Sequence, residues 1–593
     1  MSDPKYIVGI DLGTTHCVVA FTENAVPEFD APAIHIFNMP QVVAPGEIKS
    51  QPLLPSFLFM PGPHDVPEGA LRLPWQGDID YAVGQFARER GAELPMRLVA
   101  SAKSWLSHTG VDRTAAILPW EAPSDARRVS PVEAATRYLK HLRAAWNHHM
   151  AREDDALRLE RQVVYLTVPA SFDAVARELT VRAAQAAGLH NLTLLEEPQA
   201  AFYAWLESQQ DHWRDLIGVG ETVLVCDVGG GTTDLSLIEV VEEEGNLDLR
   251  RVAVGDHILL GGDNMDLTLA YALRGKLARQ GTNLDNWQFR GLAHQCRKAK
   301  ERLLSEPNLE SEPIVILGRG SSLIGGTIRT ELTRQEIETI LVAGFFPKVE
   351  AHEHPQRQAK VGVREMGLPY ESDPAITRHL AQFLSRTEAA FPSAVLFNGG
   401  VMKADALRSQ VLSVLRHWSQ GEVRELPSIS LDHAVAHGAT YYGLARKGRG
   451  IRIKAGTAQT YYIGVESNMP AVPGIPTPIK ALCVVPFGME EGSDAQIRQK
   501  EFGLVVGDQA VFKLLGSTTR KHDTVGEIVE DWGGEIDEIA TMDANLAASD
   551  DLEGGTILPV WLESKVTEIG TLELWCVARD TEQRWKLEFE LRG

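Results

Sequence analysis

Two stretches of this chain end an apolar run in aspartate and follow it with glycine and threonine: VGIDLGTTHCVV (Val8 to Val19) and VCDVGGGTTDLSL (Val225 to Leu237). Each reads as two strands joined by a tight turn. A hairpin needs only a short turn, and consecutive glycines cost backbone entropy, so something must need the space they leave. Glycine lets a backbone approach a ligand closely and aim its N–H groups at an anion. Threonine hydroxyls add donors. The aspartates cannot hold phosphate, but they can hold Mg²⁺ through its water shell. Asp11 and Asp227 lie 216 positions apart, which suits one hairpin in each half of a duplicated unit and is too long for an array of short repeats. Two such turns facing each other would grip a polyphosphate from both sides.

With 593 residues the chain needs more than one domain. Its net charge of −22 argues against nucleic acid as a partner. The five cysteines (Cys17, Cys226, Cys296, Cys483 and Cys576) form no CxxC pair, which speaks against structural zinc and a disulfide framework and suits a reducing compartment. No basic-then-apolar leader opens the sequence, and no run of 18 apolar residues interrupts it. A cytoplasmic protein without a membrane partner is the expectation.

Between and beyond the hairpins, strands alternate with helices, the pattern of an α/β core. VVYLTV (Val163 to Val168) predicts a strand closed by Pro169. A helix follows from the Asp173 cap to a stop at Gly188, then the strand LTLLEE and a helix with Pro198 in its first turn. Helical periodicity returns in DNMDLTLAYALRGKLARQ and RGLAHQCRKAKERLLS, and SAVLFNGGVMKADALRSQVLSVL reads as strand, turn and helix. LDHAVAHGATYYGLAR is a further helix of small residues. The texture changes near Lys447. Five basic residues fall between Arg446 and Lys454, and short strand-like runs dominate from there to Gly593. That predicts a β-rich region of sandwich type. NGGVMKADAL is a third glycine turn, and the chain contains no G-x-x-x-x-G-K-[ST].

Taken in order, DLGTT, VYLTVPASF, LLEEPQAA, VCDVGGGTTDLS, the NGG turn and DHAVAHGA resemble the DnaK-type (heat-shock protein 70) chaperones across roughly residues 5 to 446. The resemblance implies an α/β fold: duplicated actin-like (ribonuclease H-like) ATPase lobes over residues 1–446, the second over about 221–392. A basic linker would follow at 447–454, then a β-sandwich-like, substrate- or partner-binding domain at 455–593 without a helical lid. It implies ATP or ADP with Mg²⁺, and K⁺ as a further cation. By position, Gly13, Thr14, Thr15, Gly229, Gly230, Gly231 and Thr232 would meet the phosphates. Asp11 and Asp227 would hold Mg²⁺ through water, and Glu197 would stand by the attacking water. Thr232 and Asp234 would belong to the phosphate and cation shell. Lys300, Gly399, Gly400 and Lys403 would meet the nucleoside. Pro169 and Arg177 would form an interdomain switch. Arg88, in VGQFARERG, falls where that reading puts the cation that offsets charge during hydrolysis.

Three departures from the family pattern stand out: Val401 in place of a serine, Lys403 in place of an arginine and Arg297 in place of a glutamate. The linker is basic where the family's is acidic and leucine-rich. The expected function is an ATP-hydrolysing, chaperone-like protein that couples nucleotide state to binding of an unfolded or extended peptide or a specific client, with J-domain and exchange-factor partners. The alternatives are a nucleotide-dependent regulator or scaffold with weak ATPase activity, and a non-chaperone actin-like ATPase or kinase.

Overall fold

The structure is a computed structural model of the chain. It describes residues 3–24, 33–120, 122–123, 126–243, 246–318, 327–356, 367–387, 389–428, 430–447, 453–454, 457, 459–467, 477–490, 492–505, 510–544, 557–567, 571–581 and 583–589. The fold is mixed α/β with several sheets, and two of those sheets are built alike.

In the first, Tyr6–Leu12 pairs antiparallel with His16–Glu23 and, on its other side, parallel with Val163–Val168, which pairs parallel with Leu192–Glu196. In the second, Thr222–Val228 pairs antiparallel with Thr233–Glu243 and parallel with Ala394–Asn398, which pairs parallel with Arg424–Glu425. Each hairpin therefore joins the parallel strands of its sheet to an antiparallel side, where His16–Glu23 goes on to pair with His35–Ile36 and Thr233–Glu243 with Asn246–Val254. The hairpin strands are apolar on both faces, as sheets covered on both sides require. Val8 and Ile10 enter one core while Ile7 enters another; Leu224 and Cys226 separate from Val223 and Val225 in the same way.

The core shared by the two sheets holds Ile7, Leu195, Val223, Val225 and Leu396 with two helices, Glu197–Gln209 and Ala434–Ala445. These are the helix read from PQAAFYAWLES and the small-residue helix read from LDHAVAHGATYYGLAR. They cross closely: a Cβ on Gly438 would overlap the Ala200 carbonyl. Packing both sheets on one helix pair fixes where the two hairpin turns end up.

Past Lys447 the described residues contain strands and no helix. Among them, nine antiparallel strands run from Thr460–Glu466 to Arg584–Phe589, and they include Ile528–Val529 and Asp537–Ala544, which show no strand pattern in the sequence. The sheet folds over on itself. Val484 and Val560, from strands far apart in the sheet order, share one core, and the Ser564 hydroxyl donates to the Val484 carbonyl at 2.6 Å. Ala174 joins that core from the helix Ala174–Ala186, so this region packs against the α/β part. Of the basic linker, residues 448–452 lie outside the described residues. Ile453 and Lys454 pair in parallel with Leu249 and Arg250 on the edge of the second sheet. Among the described residues no helix is long and apolar enough to cross a membrane.

Candidate functional site

The two glycine turns have the same internal bond. The Gly13 N–H donates to the His16 carbonyl (3.1 Å) and the Gly229 N–H to the Thr232 carbonyl (2.9 Å). The donor stands at the same distance along the chain from Asp11 as from Asp227, and so does the acceptor. The turns also meet. A Cβ on Gly230 would overlap the Thr15 hydroxyl, and one on Gly231 would lie 2.5 Å from Ser104 Oγ and 3.0 Å from Thr14 Cγ2. Glycine is required there because two hairpins from different sheets converge on one point. The helix Gly262–Arg279 starts against the second turn, with the Gly262 N–H donating to the Gly229 carbonyl (3.0 Å) and the Asp263 N–H to that of Gly230 (2.7 Å).

Four acidic side chains gather behind the turns: Asp11, Glu197, Asp227 and Asp234. Asp227 is buried and accepts from the Asn398 amide at 2.6 Å. Asp234 is buried and accepts from the Thr232 hydroxyl at 2.9 Å and from Ser171. Glu197 forms an ion pair with Lys103, itself buried in the short helix Ala102–Leu106. Burial pushes Asp227 up to about 7, with Asp234 and Asp11 adding to the rise and the Asn398 bond opposing it. Burial also raises Asp11 and Glu197, and Lys103 is the strongest force holding each of them back. Lys103 in turn is raised by Glu197 and Asp11 against the pull of its own burial. The cluster carries four carboxylates against one ammonium, a set that favours a cation or a proton. Among the described residues no three His, Cys, Asp or Glu side chains converge as direct metal ligands.

The third turn closes the other side. Gly399 has φ +85°, and its Cα faces the Val228 carbonyl and Asp227. Lys300 pairs with Asp266 at 2.7 Å and donates to the Gly262 carbonyl at 3.1 Å. Arg297 holds Asp266 at 2.6 Å and pairs with Asp263, which also accepts from Ser101 at 2.5 Å. Lys403 pairs with Asp432 at 2.5 Å, on the segment that leads into the small-residue helix. Gly400 has open space around it.

Residues 78–366 match the family model described as Hsp70 protein. The chain is similar to proteins named chaperone protein HscA homolog: that of Bordetella pertussis is 30% identical over 57% of this chain and 46% of its own length. That of Tolumonas auensis is 30% identical over 58% of this chain and 54% of its own. That of Acinetobacter baumannii is 27% identical over 52% and 43%. The chain spans about half the length of the curated relatives it matches.

Of the residues singled out in the sequence, Gly13, Thr14, Thr15, Gly229, Gly230, Gly231, Thr232, Asp11, Asp227, Asp234 and Glu197 come together at the two turns. Lys300, Gly399, Gly400 and Lys403 border them. Arg88 does not join the carboxylates; its guanidinium lies 3.5 Å from Glu89. The cation among them is Lys103, which sequence reasoning missed. Its signal is modest: a single lysine in the otherwise small and apolar run LVASAKSWL. Arg177 pairs with Glu196 at 2.6 Å and donates to the carbonyls of Phe172 (3.2 Å) and Ala170 (3.4 Å), so it grips the turn that Pro169 opens. Arg251 pairs with the other Glu196 oxygen. Both Pro169 and Arg177 thus lie beside Ala174, where the C-terminal strands pack.

Proposed function

We propose that this chain is an Hsp70-family protein that binds and hydrolyses ATP in the cleft between two actin-like lobes, and that nucleotide state governs peptide binding by a β-sandwich-like region at 455–593. The observation that carries the reading is the meeting of Gly230 with Thr15 and of Gly231 with Thr14, backed by Asp11, Glu197, Asp227, Asp234 and Lys103. Two glycine turns with bare backbone and hydroxyl donors suit a chain of phosphates. The acidic set behind them suits Mg²⁺, held by Asp11 and Asp227 through water, which when bound offsets phosphate charge. K⁺ would fall beside Thr232 and Asp234.

Thr14 and Thr15 orient the phosphates with their hydroxyls, while the Thr232 hydroxyl donates to Asp234 behind them. Glu197 accepts a hydrogen bond from the attacking water and can take its proton, a role that its burial-raised basicity favours near neutral pH. Lys103, a compact ammonium held at the same point, stabilises charge as it develops on the transferred phosphoryl group. This gives Lys103 the part that the family resemblance suggests for Arg88. Lys300, Gly399, Gly400 and Lys403 form the nucleoside side.

Coupling has a physical route. Ile453 and Lys454 lengthen the second sheet by one strand. Ala174, shortly after Pro169 in the chain and next to the Arg177–Glu196–Arg251 group, packs into the C-terminal core. An extended peptide would lie along the C-terminal strands near Val511 and Ile557, apolar side chains that are 60% and 67% exposed. J-domain and exchange-factor partners and a cytoplasmic setting complete the proposal; all five cysteines are free and buried.

Calorimetry with MgATP and MgADP, followed by single-turnover hydrolysis with and without an unfolded peptide, tests it. Uptake of both nucleotides and a peptide-dependent rate are expected. No uptake of either nucleotide overturns the reading.

A further inference from the structure

We propose that His257 is a positioning residue for the second glycine turn, and that the loop carrying it links that turn to the C-terminal strands. This rests on the ATPase reading above and names a part of its machinery that neither the motifs nor the carboxylate cluster includes.

The loop joins the strand Asn246–Val254 to the helix Gly262–Arg279. It is stitched to the strand leaving the glycine turn: the Gly255 N–H donates to the Leu235 carbonyl (2.8 Å), the Thr233 N–H to that of Ile258 (3.0 Å) and the Thr233 hydroxyl to that of Leu260 (2.7 Å). Both ring nitrogens of His257 are engaged. Nδ1 lies 2.7 Å from Ser171 Oγ, and Nε2 lies 2.8 Å from Ser107 Oγ. The ring packs edge-on against Phe172, with centroids 5.9 Å apart.

The proton count gives these contacts a direction. Ser171 has one hydroxyl proton and donates it to Asp234 Oδ1. It must therefore accept from the Nδ1–H of His257. Burial lowers the pKa of the imidazole, and in the neutral ring Nε2 is the acceptor; the one Ser107 proton then serves Nε2 at 2.8 Å in place of the Ser104 carbonyl at 3.0 Å. The tautomer of His257 thus holds the Ser171 hydroxyl on one Asp234 oxygen while Thr232 donates to the other at 2.9 Å. Without that lock, Ser171 is free to turn, and the buried Asp234 loses a donor beside the phosphate turn.

The neighbouring residue faces the other way. Asp256 accepts from Thr518 of the C-terminal region at 2.9 Å and from Arg386 at 2.7 Å. Lys521 donates to the Val252 carbonyl at 3.2 Å. Between these contacts lies a cavity of about 200 Å³, lined by Asp256, His257, Arg386, Thr518, Thr519 and Lys521 among others. The space lets the boundary shift without a clash. A displacement of Thr518 reaches Asp256 directly and His257 one peptide unit later.

The test uses the full chain. Single-turnover hydrolysis of MgATP and MgATP affinity by calorimetry are measured for the parent, His257→Phe, His257→Gln, Ser171→Ala, Thr518→Val and the double variants. His257→Phe keeps the ring packed on Phe172 and removes both hydrogen bonds. It is expected to slow hydrolysis about tenfold with affinity within about threefold of the parent. Ser171→Ala should match it, and the His257→Phe/Ser171→Ala double should be no more than about twofold slower than either. His257→Gln, whose amide can still donate to Ser171, should recover most of the rate. Thr518→Val should change the rate about threefold in the parent and not at all beside His257→Phe. Parent-like hydrolysis by both His257→Phe and Ser171→Ala overturns the proposal. So do multiplicative losses in their double, or an equal Thr518→Val effect in both backgrounds. In those cases the ATPase reading stands. A parent that takes up no MgATP sinks both. If His257→Phe does not fold, Ser171→Ala and Thr518→Val decide between the outcomes, and a parent-like rate in both overturns the relay.

Discussion

Replacing Gly399 with alanine, measured beside the same change at Gly400, tests the claim that the third turn is shaped by backbone geometry and not by glycine content. Gly399 has φ +85° and ψ 151°, a conformation open in practice to glycine alone and costing other residues about 1–3 kcal/mol. A Cβ there would also overlap the Val228 carbonyl and lie 2.5 Å from Asp227 Oδ1. The Val228 carbonyl is backbone, and Asp227 Oδ1 ends a short, buried side chain whose other oxygen is held by Asn398. Relieving such an overlap costs about another 1–3 kcal/mol. Together these give roughly 2–6 kcal/mol for Gly399→Ala. Gly400 has nothing within 4 Å of its would-be Cβ. Alanine there should leave stability unchanged or raise it by about 0.4–1 kcal/mol through the unfolded chain. Urea unfolding of both variants in one buffer, followed by tryptophan fluorescence and far-UV circular dichroism, reads the difference. Because Gly399→Ala must push Asp227 aside, nucleotide affinity should also fall about 30-fold for each 2 kcal/mol transmitted. Equal unfolding midpoints for the two variants would refute the reasoning.

Further outcomes follow from the same geometry. Lys103→Met should slow single-turnover hydrolysis about 10²–10³-fold, the scale of losing one charge-stabilising donor, while Arg88→Ala stays within about threefold of the parent; the opposite order would return the role to Arg88. Asp227, raised from 3.8 to about 7 chiefly by burial, holds its proton more tightly folded than unfolded. Its ionisation therefore weakens the nucleotide-free fold as pH rises from about 4 to about 7, and Asp227→Asn should stabilise it by up to about 4 kcal/mol at pH 8 and by nothing below pH 4. Urea titrations at pH 4 and pH 8 without Mg²⁺ check this, and a gain independent of pH would contradict it. Glu196→Gln, which removes the carboxylate shared by Arg177 and Arg251, should cost about 3–5 kcal/mol. It should also loosen packing of the C-terminal strands, seen as faster proteolysis after Lys447; unchanged cleavage would dissociate that group from the domain boundary.

Much of the local structure was legible. Asp173 caps its helix by accepting from the Ala176 N–H at 2.6 Å, and Gly188 stops it with φ +89°. The two hairpins, the two helices of the shared core and the strand before NGG are likewise local facts, written in periodicity and turn chemistry. Asp537–Ala544 was not legible, because DEIATMDA lacks the apolar alternation of a strand and is held by its neighbours' ladders. Arg297 was visible as an odd residue, but its place between Asp263 and Asp266 depends on how two helices pack.

What the sequence determined by itself is the chemistry on offer: glycine for bare backbone, threonine for hydroxyls, and aspartate at a strand end, each repeated once. Spacing along the chain cannot say which cation neutralises those aspartates, because Lys103 reaches Glu197 only after two sheets close on a shared helix pair. Nor can it say that His257 stands behind Asp234 while Asp256 touches Thr518, 262 residues later. Coulombic and hydrogen-bond energies depend on distance in space. Among these residues, only the packed core converts sequence separation into that distance.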